Sequence, residues 1–266
     1  MDIIPNNCIK IKEIISNDDD KYMILSEIFL QQDIMIKVMK YIENYDAEKI
    51  YKKLQNHEYF NIMPIFGYIT CVDDFKNLKL TLIEKGICNG TDNKQISLLL
   101  MKNIKEYISK FTEKQFSSIF FQIIFTCIKL YSETGIIHND IKLGNFFITK
   151  TDQENEMYSI KSPTINVIVK LHGVRVYLID FDNGRIPDDS HLFIDDVKNT
   201  CKKLFNLYSL LNKKQYDILN STLSQDSDDV KSMSMKPFGT IKKVYKAIMK
   251  YVYPYIGDDV LVKIDI

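Results

Sequence analysis

Glycine is scarce in this chain, nine in 266 residues, and none falls before Gly67. A glycine-free first quarter excludes a loop there whose bare backbone closes tightly around a phosphate, since a Cβ at each position keeps the main chain at a distance. Net charge is missing too. The 35 basic and 35 acidic residues cancel, leaving no cationic excess to neutralise a phosphate backbone, so direct nucleic-acid binding is not expected. The five cysteines, Cys8, Cys71, Cys88, Cys127 and Cys201, are odd in number and form no Cys-x-x-Cys pair. That spacing supports neither a disulfide framework nor a thiolate zinc site, and it reads as buried thiols in a reducing compartment. No window approaches eighteen apolar residues, so no membrane-spanning helix is expected. The first seven residues lack a basic stretch and a long apolar run, so no signal peptide is expected, and an intracellular location follows.

What is present suits a folded chain. Hydrophobic residues make up 45% and charged residues 26%, ordinary proportions for a packed core under a polar surface. The length fits one large domain or two small lobes. Short apolar runs predict strands over 22–30, 33–39, 63–72 and 78–84, with a helix over 46–56 where Ile50, Tyr51 and Leu54 share one face. Residues 86–93, with two glycines, Asn and Asp, read as a link between two halves. The period then changes. Thr112 and Gln115 form a capping-box pattern, and behind it Phe116, Ile119, Phe120, Ile123, Ile124, Cys127 and Leu130 keep helical spacing up to Gly135. A β-branched run predicts a strand over 174–179, and helices are expected over 197–211 and 240–251. A strand-rich front and a helical back give an α+β chain with two lobes.

The chemistry concentrates after the capped helix. His138, Asp140, Lys142 and Asn145 form His-x-Asp-x-Lys-x-x-Asn, flanked by apolar Ile136 and Ile137 before it and Phe146, Phe147 and Ile148 after it. Phosphoryl transfer demands positioning and charge stabilisation more than covalent help. An aspartate at 140 can accept or orient a substrate hydroxyl, and a lysine two residues on can reach the γ-phosphate. An asparagine five residues after the aspartate can ligate a metal ion that bridges the phosphates. Downstream, the apolar run Val176 to Ile179 delivers Asp180, followed by Phe181 and Asp182.

In this order the two motifs resemble the catalytic loop and the Asp-Phe-Gly motif of eukaryotic-type Ser/Thr protein kinases. Ile34, Met35, Ile36 and Lys37 are similar to the family's Val-Ala-Ile-Lys strand. Leu80 to Gly86 resembles the strand entering the hinge. The resemblance implies a bilobal protein-kinase-like fold, with a small β-rich N-lobe over about 1–86 and a larger, mainly helical C-lobe over about 94–266. It implies ATP and Mg²⁺ as cofactors, a protein substrate and a monomer. Asp140 and Lys142 become the catalytic pair, and Asn145 and Asp180 the metal ligands. Lys37 and Glu48 are assigned to the α/β-phosphates, with Glu43 as the other candidate partner for Lys37, and Glu84 and Gly86 to the adenine side.

The chain departs from that family in ways that shape the expectation. No glycine loop precedes Lys37. Asn139 stands where an arginine commonly reads a phosphorylated activation loop, and the segment from Asp180 to Asp196 is short and lacks Ala-Pro-Glu. No activation-loop phosphorylation is therefore expected. Asp196 resembles the aspartate that opens the large central helix and holds the catalytic-loop backbone. Residues 150–170 read as an insertion. These features over 138–205 are similar to the haspin branch, and to divergent kinases of large DNA viruses. A pseudokinase scaffold is the alternative, and a small-molecule phosphotransferase of the same fold is a further one.

Overall fold

The computed structural model describes residues 10–18, 21–28, 32–40, 45–55, 61–72, 95–104, 108, 110–161, 164–188, 191–208 and 260–263. The architecture is mixed α/β, and the chain divides into two compact units, Met1–Glu58 with Met63–Lys105, and Tyr59–Ile62 with Glu106–Ile266. Among the described residues no helix is long and apolar enough to cross a membrane.

The first unit is a five-stranded antiparallel sheet built from β1 (Lys10–Asp18), β2 (Lys21–Ile28), β3 (Gln32–Lys40), β4 (Ile65–Val72) and β5 (Gln95–Lys102), in the order β1-β2-β3-β5-β4. β3 is central, and Met35, Ile36, Lys37 and Val38 are all buried. Apolar residues on both faces are what an interior strand requires. Between β3 and β4 runs helix α1 (Tyr45–Gln55). Its Ile50, Tyr51 and Leu54 are buried, and the Tyr51 ring stacks on Tyr68 of β4 at 5.6 Å, so the expected helical face is the packed one.

Two expectations change here. β1 is absent from the sequence reading, and β5 falls where the second half was expected to begin, at 94. Because β5 pairs with both β3 and β4, the first unit extends to Lys105. The strand expected over 78–84, the link over 86–93 and the helix over 240–251 lie outside the described residues.

The second unit is organised by α2 (Glu113–Thr134). Thr112 caps it: its Oγ1 accepts from the Gln115 backbone N–H at 3.3 Å, and the Gln115 side chain accepts from the Thr112 N–H at 2.9 Å. The helix ends at Gly135, whose φ of 71° is left-handed and whose N–H donates to the Tyr131 carbonyl at 2.8 Å. The sequence predicts one apolar face, yet Phe121, Phe125 and Ile128 are buried as well. The reason is position: α2 is covered by strands on one side and by α3 (His191–Tyr208) on another. Each fully buried phenylalanine contributes about 1.5–3 kcal/mol of transfer free energy, and Phe116, Phe120, Phe121 and Phe125 all lie on this one helix. Tyr131 stacks on Phe193 of α3 at 4.1 Å.

Two antiparallel ladders complete the unit. β6 (Phe146–Lys150) pairs with β9 (Val174–Leu178). The expected insertion is itself structured, as a hairpin of β7 (Asn155–Lys161) and β8 (Thr164–Lys170) extended by β10 (Val260–Lys263). Buried Gln122 serves β9 as a further strand would. Its Nε2 donates to the Val174 carbonyl at 3.1 Å, and its Oε1 accepts from the Val176 N–H at 2.9 Å. Asn61 adds a bond to the Val176 carbonyl at 2.8 Å, donates to Gln122 and accepts from the Tyr158 hydroxyl of β7. This network fixes β9, the strand that leads to Asp180.

Gly135 yields a local test. Alanine there would place a Cβ in the left-handed region, although the nearest atom, Ile186 Cγ2, stands at a comfortable 3.8 Å. The cost is therefore conformational, and Gly135→Ala is expected to destabilise the chain by about 1 kcal/mol in a denaturant titration.

Candidate active site

The two motifs meet because β6 and β9 are neighbours. Phe146 pairs with Leu178, so the residue before β6, Asn145, faces the residue after β9, Ile179. The Ile179 N–H donates to the Asn145 carbonyl at 3.0 Å. The Ile179 carbonyl bonds His138 Nε2 at 2.8 Å. One peptide segment thus grips both ends of the 138–145 loop and delivers Asp180 beside it.

The bond to a carbonyl requires Nε2 of His138 to carry the proton. Burial pulls the His138 pKa down, opposed by that carbonyl and by Asp180 and Asp140, so the ring is neutral at neutral pH. It packs on the Phe181 ring at 4.4 Å. Asn139 and Asp180 both have left-handed backbones, at φ 63° and 64°, which short polar side chains tolerate. After Asp180 a 3-10 turn, Phe181–Asn183, is closed by the Gly184 N–H on the Phe181 carbonyl at 2.9 Å. The chain then returns to the loop, where Ile137 and Arg185 exchange two backbone bonds of 2.9 and 3.1 Å.

Asp140 is the centre of the polar contacts. Its Oδ2 accepts from Lys142 Nζ at 2.6 Å, from Asn145 Nδ2 at 3.1 Å and from Asn183 Nδ2 at 3.3 Å. Its Oδ1 lies 3.6 Å from Lys203 Nζ. Partial burial alone would raise the Asp140 pKa, but Lys142, Asn183 and Lys203 outweigh it and hold the carboxyl below its usual range. Asn139 closes a second link, donating to the Asn183 carbonyl at 3.2 Å.

Asn145 Nδ2 also donates to the Asp140 backbone carbonyl at 2.8 Å. A carbonyl only accepts, so the amide orientation is fixed and Oδ1 is the atom left for a cation. Amide and carboxylate oxygens such as those of Asn145 and Asp180 are the hard donor type that Mg²⁺ takes alongside water and phosphate. Among the described residues no group of three or more His, Cys, Asp or Glu side chains is arranged to hold a metal on its own.

Asp196, on α3, is buried, and one of its oxygens has no hydrogen-bond partner among the described residues. Burial pushes its pKa up to about 6, against the backbone amides of Asn139 and His138 and the charge of Lys203. Those amides tie the start of the loop to the helix.

The expected residues are thus partly assembled. Asp140, Lys142 and Asn145 come together, and Asp180 follows directly on the Ile179 clamp. Lys37 is buried in the first unit, in register with Met23 and Leu99. Glu48 bonds Lys52 one turn on. Glu43, Glu84 and Gly86 lie outside the described residues. Asn183 and Lys203 are additions. Lys203 stands at i+7 from Asp196, and that spacing is the signal that puts both on one helix face.

No family model and no curated protein matches the chain. Among solved structures, the crystal structure of Rad53 1–466 in complex with AMP-PNP is similar at 12% identity and a TM-score of 0.44, over 72% of this chain. The match spans 46% of that chain, less than half its length.

Proposed function

We propose that this chain is an ATP-dependent serine/threonine phosphotransferase with a bilobal, kinase-like fold. In this reading it moves a γ-phosphate to a protein hydroxyl without activation-loop phosphorylation. One observation carries it: the β6–β9 ladder and the Ile179 clamp bring the Asp140, Lys142 and Asn145 loop against the turn that holds Asp180. Asp140 orients the hydroxyl and accepts its proton. Lys142, exposed and resting on Asp140, reaches the γ-phosphate when that is present. Asn145 Oδ1 and the Asp180 carboxylate hold Mg²⁺, which when bound offsets the charge that develops on the phosphoryl oxygens. Lys37 serves the α/β-phosphates. The Asn139–Asn183 link stands where a phosphate-reading arginine is absent, and it supports a loop held together without a modification.

A second reading, a nucleotide-poor scaffold, draws on β1 and β2. Their pairing closes at Asp18 and Lys21, in a stretch free of glycine. The full chain with Mg²⁺-ATP labelled at the γ-phosphate separates the two. Transfer to casein by wild type, absent in Asp140→Asn and reduced in Lys37→Ala, is the expected result. It should be accompanied by a rise in melting temperature, since a ligand at 100 times its Kd stabilises the folded state by about 2.7 kcal/mol. Wild type no better than Asp140→Asn defeats the catalytic reading. Transfer to a panel of small alcohols but not to casein redirects it to a small-molecule enzyme.

A further inference from the structure

Asp196, Thr200 and Lys203 follow one another at i, i+4 and i+7 on α3, so they occupy one face of the helix. That face meets the loop: Asp196 takes the amides of Asn139 and His138, and Lys203 Nζ stands 3.6 Å from Asp140 Oδ1. The contacts on Asp140 are split by oxygen. Lys142, Asn145 and Asn183 all hold Oδ2, and among the described residues Lys203 is the only side chain on Oδ1.

The split matters because the last torsion of an aspartate is soft and roughly two-fold. Rotation about that bond carries both oxygens together, so an ion pair on Oδ1 from α3 adds a second restraint on the carboxylate plane, from the side opposite the three donors on Oδ2. Lys142 is also committed elsewhere during transfer. Once it moves to the γ-phosphate, Lys203 is the cation that stays on Asp140. The Lys203 pair is half-exposed, and such pairs contribute little to global stability, so its consequence lies in geometry.

We propose that Lys203 is a positioning residue that sets the rotation of the Asp140 carboxylate from α3. Its catalytic consequence rests on the phosphotransfer reading above. Among the described residues two charged groups face Lys203, Asp140 and the buried Asp196, and a neutral side chain at 203 leaves both without it.

The test compares wild type, Lys203→Met and Lys203→Arg in the full chain, by Mg²⁺-ATP kinetics and by amide hydrogen exchange over residues 138–145. Lys203→Met is expected to lower kcat about tenfold with KM for Mg²⁺-ATP within about twofold, since misorientation of a catalytic group acts on the chemical step. Exchange over the loop should rise about tenfold, with α2 unchanged. Lys203→Arg should restore both. A Lys203→Met variant with wild-type kcat and wild-type exchange overturns the assignment, as does Lys203→Arg behaving like Lys203→Met. The exchange arm needs no turnover. A wild type without transferase activity whose loop still loosens in Lys203→Met defeats the functional reading and upholds the positioning one.

Discussion

Asp140→Asn is expected to lower phosphate transfer at least about 10³-fold, within the range that a positioned general base supplies, while the chain stays folded. The substitution keeps shape and removes charge. Lys142, Asn145 and Asn183 converge on Oδ2 as donors, and an amide at 140 cannot accept from all three while also taking a proton from a substrate. Lys142 and Lys203 each lose a counter-charge. The effect on stability is small by the same geometry, because both lysines are about half exposed, at 55% and 45%. Exposed pairs of that kind are worth roughly 0–1 kcal/mol, so the melting temperature should move by only a few degrees. Steady-state transfer and a thermal melt on the same preparation check both halves. Full transfer by Asp140→Asn removes Asp140 from the chemistry.

The Asp140 loop was legible because its signal is local: three polar residues at fixed spacing between apolar runs. The cap at Thr112 and the stop at Gly135 were legible for the same reason, since each depends on residues within one turn. β5 escaped because a short, continuously apolar run around Leu98 to Met101 has no period to separate strand from helix. The β7–β8 hairpin was there to be read. Tyr158 and Ile160 on β7, then Val167 and Val169 on β8, are buried at every second position, yet an insertion judged by its length alone hides that pattern. Gln122 and Asn61 could not be read locally at all. Their partners lie on β9, more than fifty residues on, and a polar residue in an apolar helix announces only that something must meet it. Lys203 belongs to the same class. Nothing within its own turn of helix marks it, and it gains meaning once Asp196 is placed against the loop.

Asp196→Asn is expected to lower kcat about 10²-fold at neutral pH and to erase an acid limb that the wild type shows near pH 6. The buried carboxylate has its pKa pushed up to about 6, so falling pH protonates it while Asp140, held below the usual carboxylate range by Lys142, Asn183 and Lys203, stays charged. Neutralising Asp196 weakens its charge-assisted bonds to the Asn139 and His138 amides, and the start of the loop is held less firmly to α3. One proton gives a tenfold fall per pH unit below about 6, so the wild type reaches the level of Asp196→Asn near pH 4. Stability runs the other way. The folded pKa is above the unfolded 3.8, so the folded state binds the proton more tightly. This contribution is full below about pH 4 and is lost as pH rises through 6, a span worth about 3 kcal/mol. His138 opposes it, because burial lowers its pKa and its contribution is present above the ordinary histidine range and lost in acid. Since His138 is common to both proteins, the stability of wild type minus that of Asp196→Asn isolates Asp196. That difference should grow in favour of wild type as pH falls from 7 to 4, over the same window in which wild-type activity declines. Denaturant titrations and kcat profiles between pH 4 and 8 measure the two trends side by side. An acid limb that persists unchanged in Asp196→Asn assigns the proton to another group and removes Asp196 from the support of the loop.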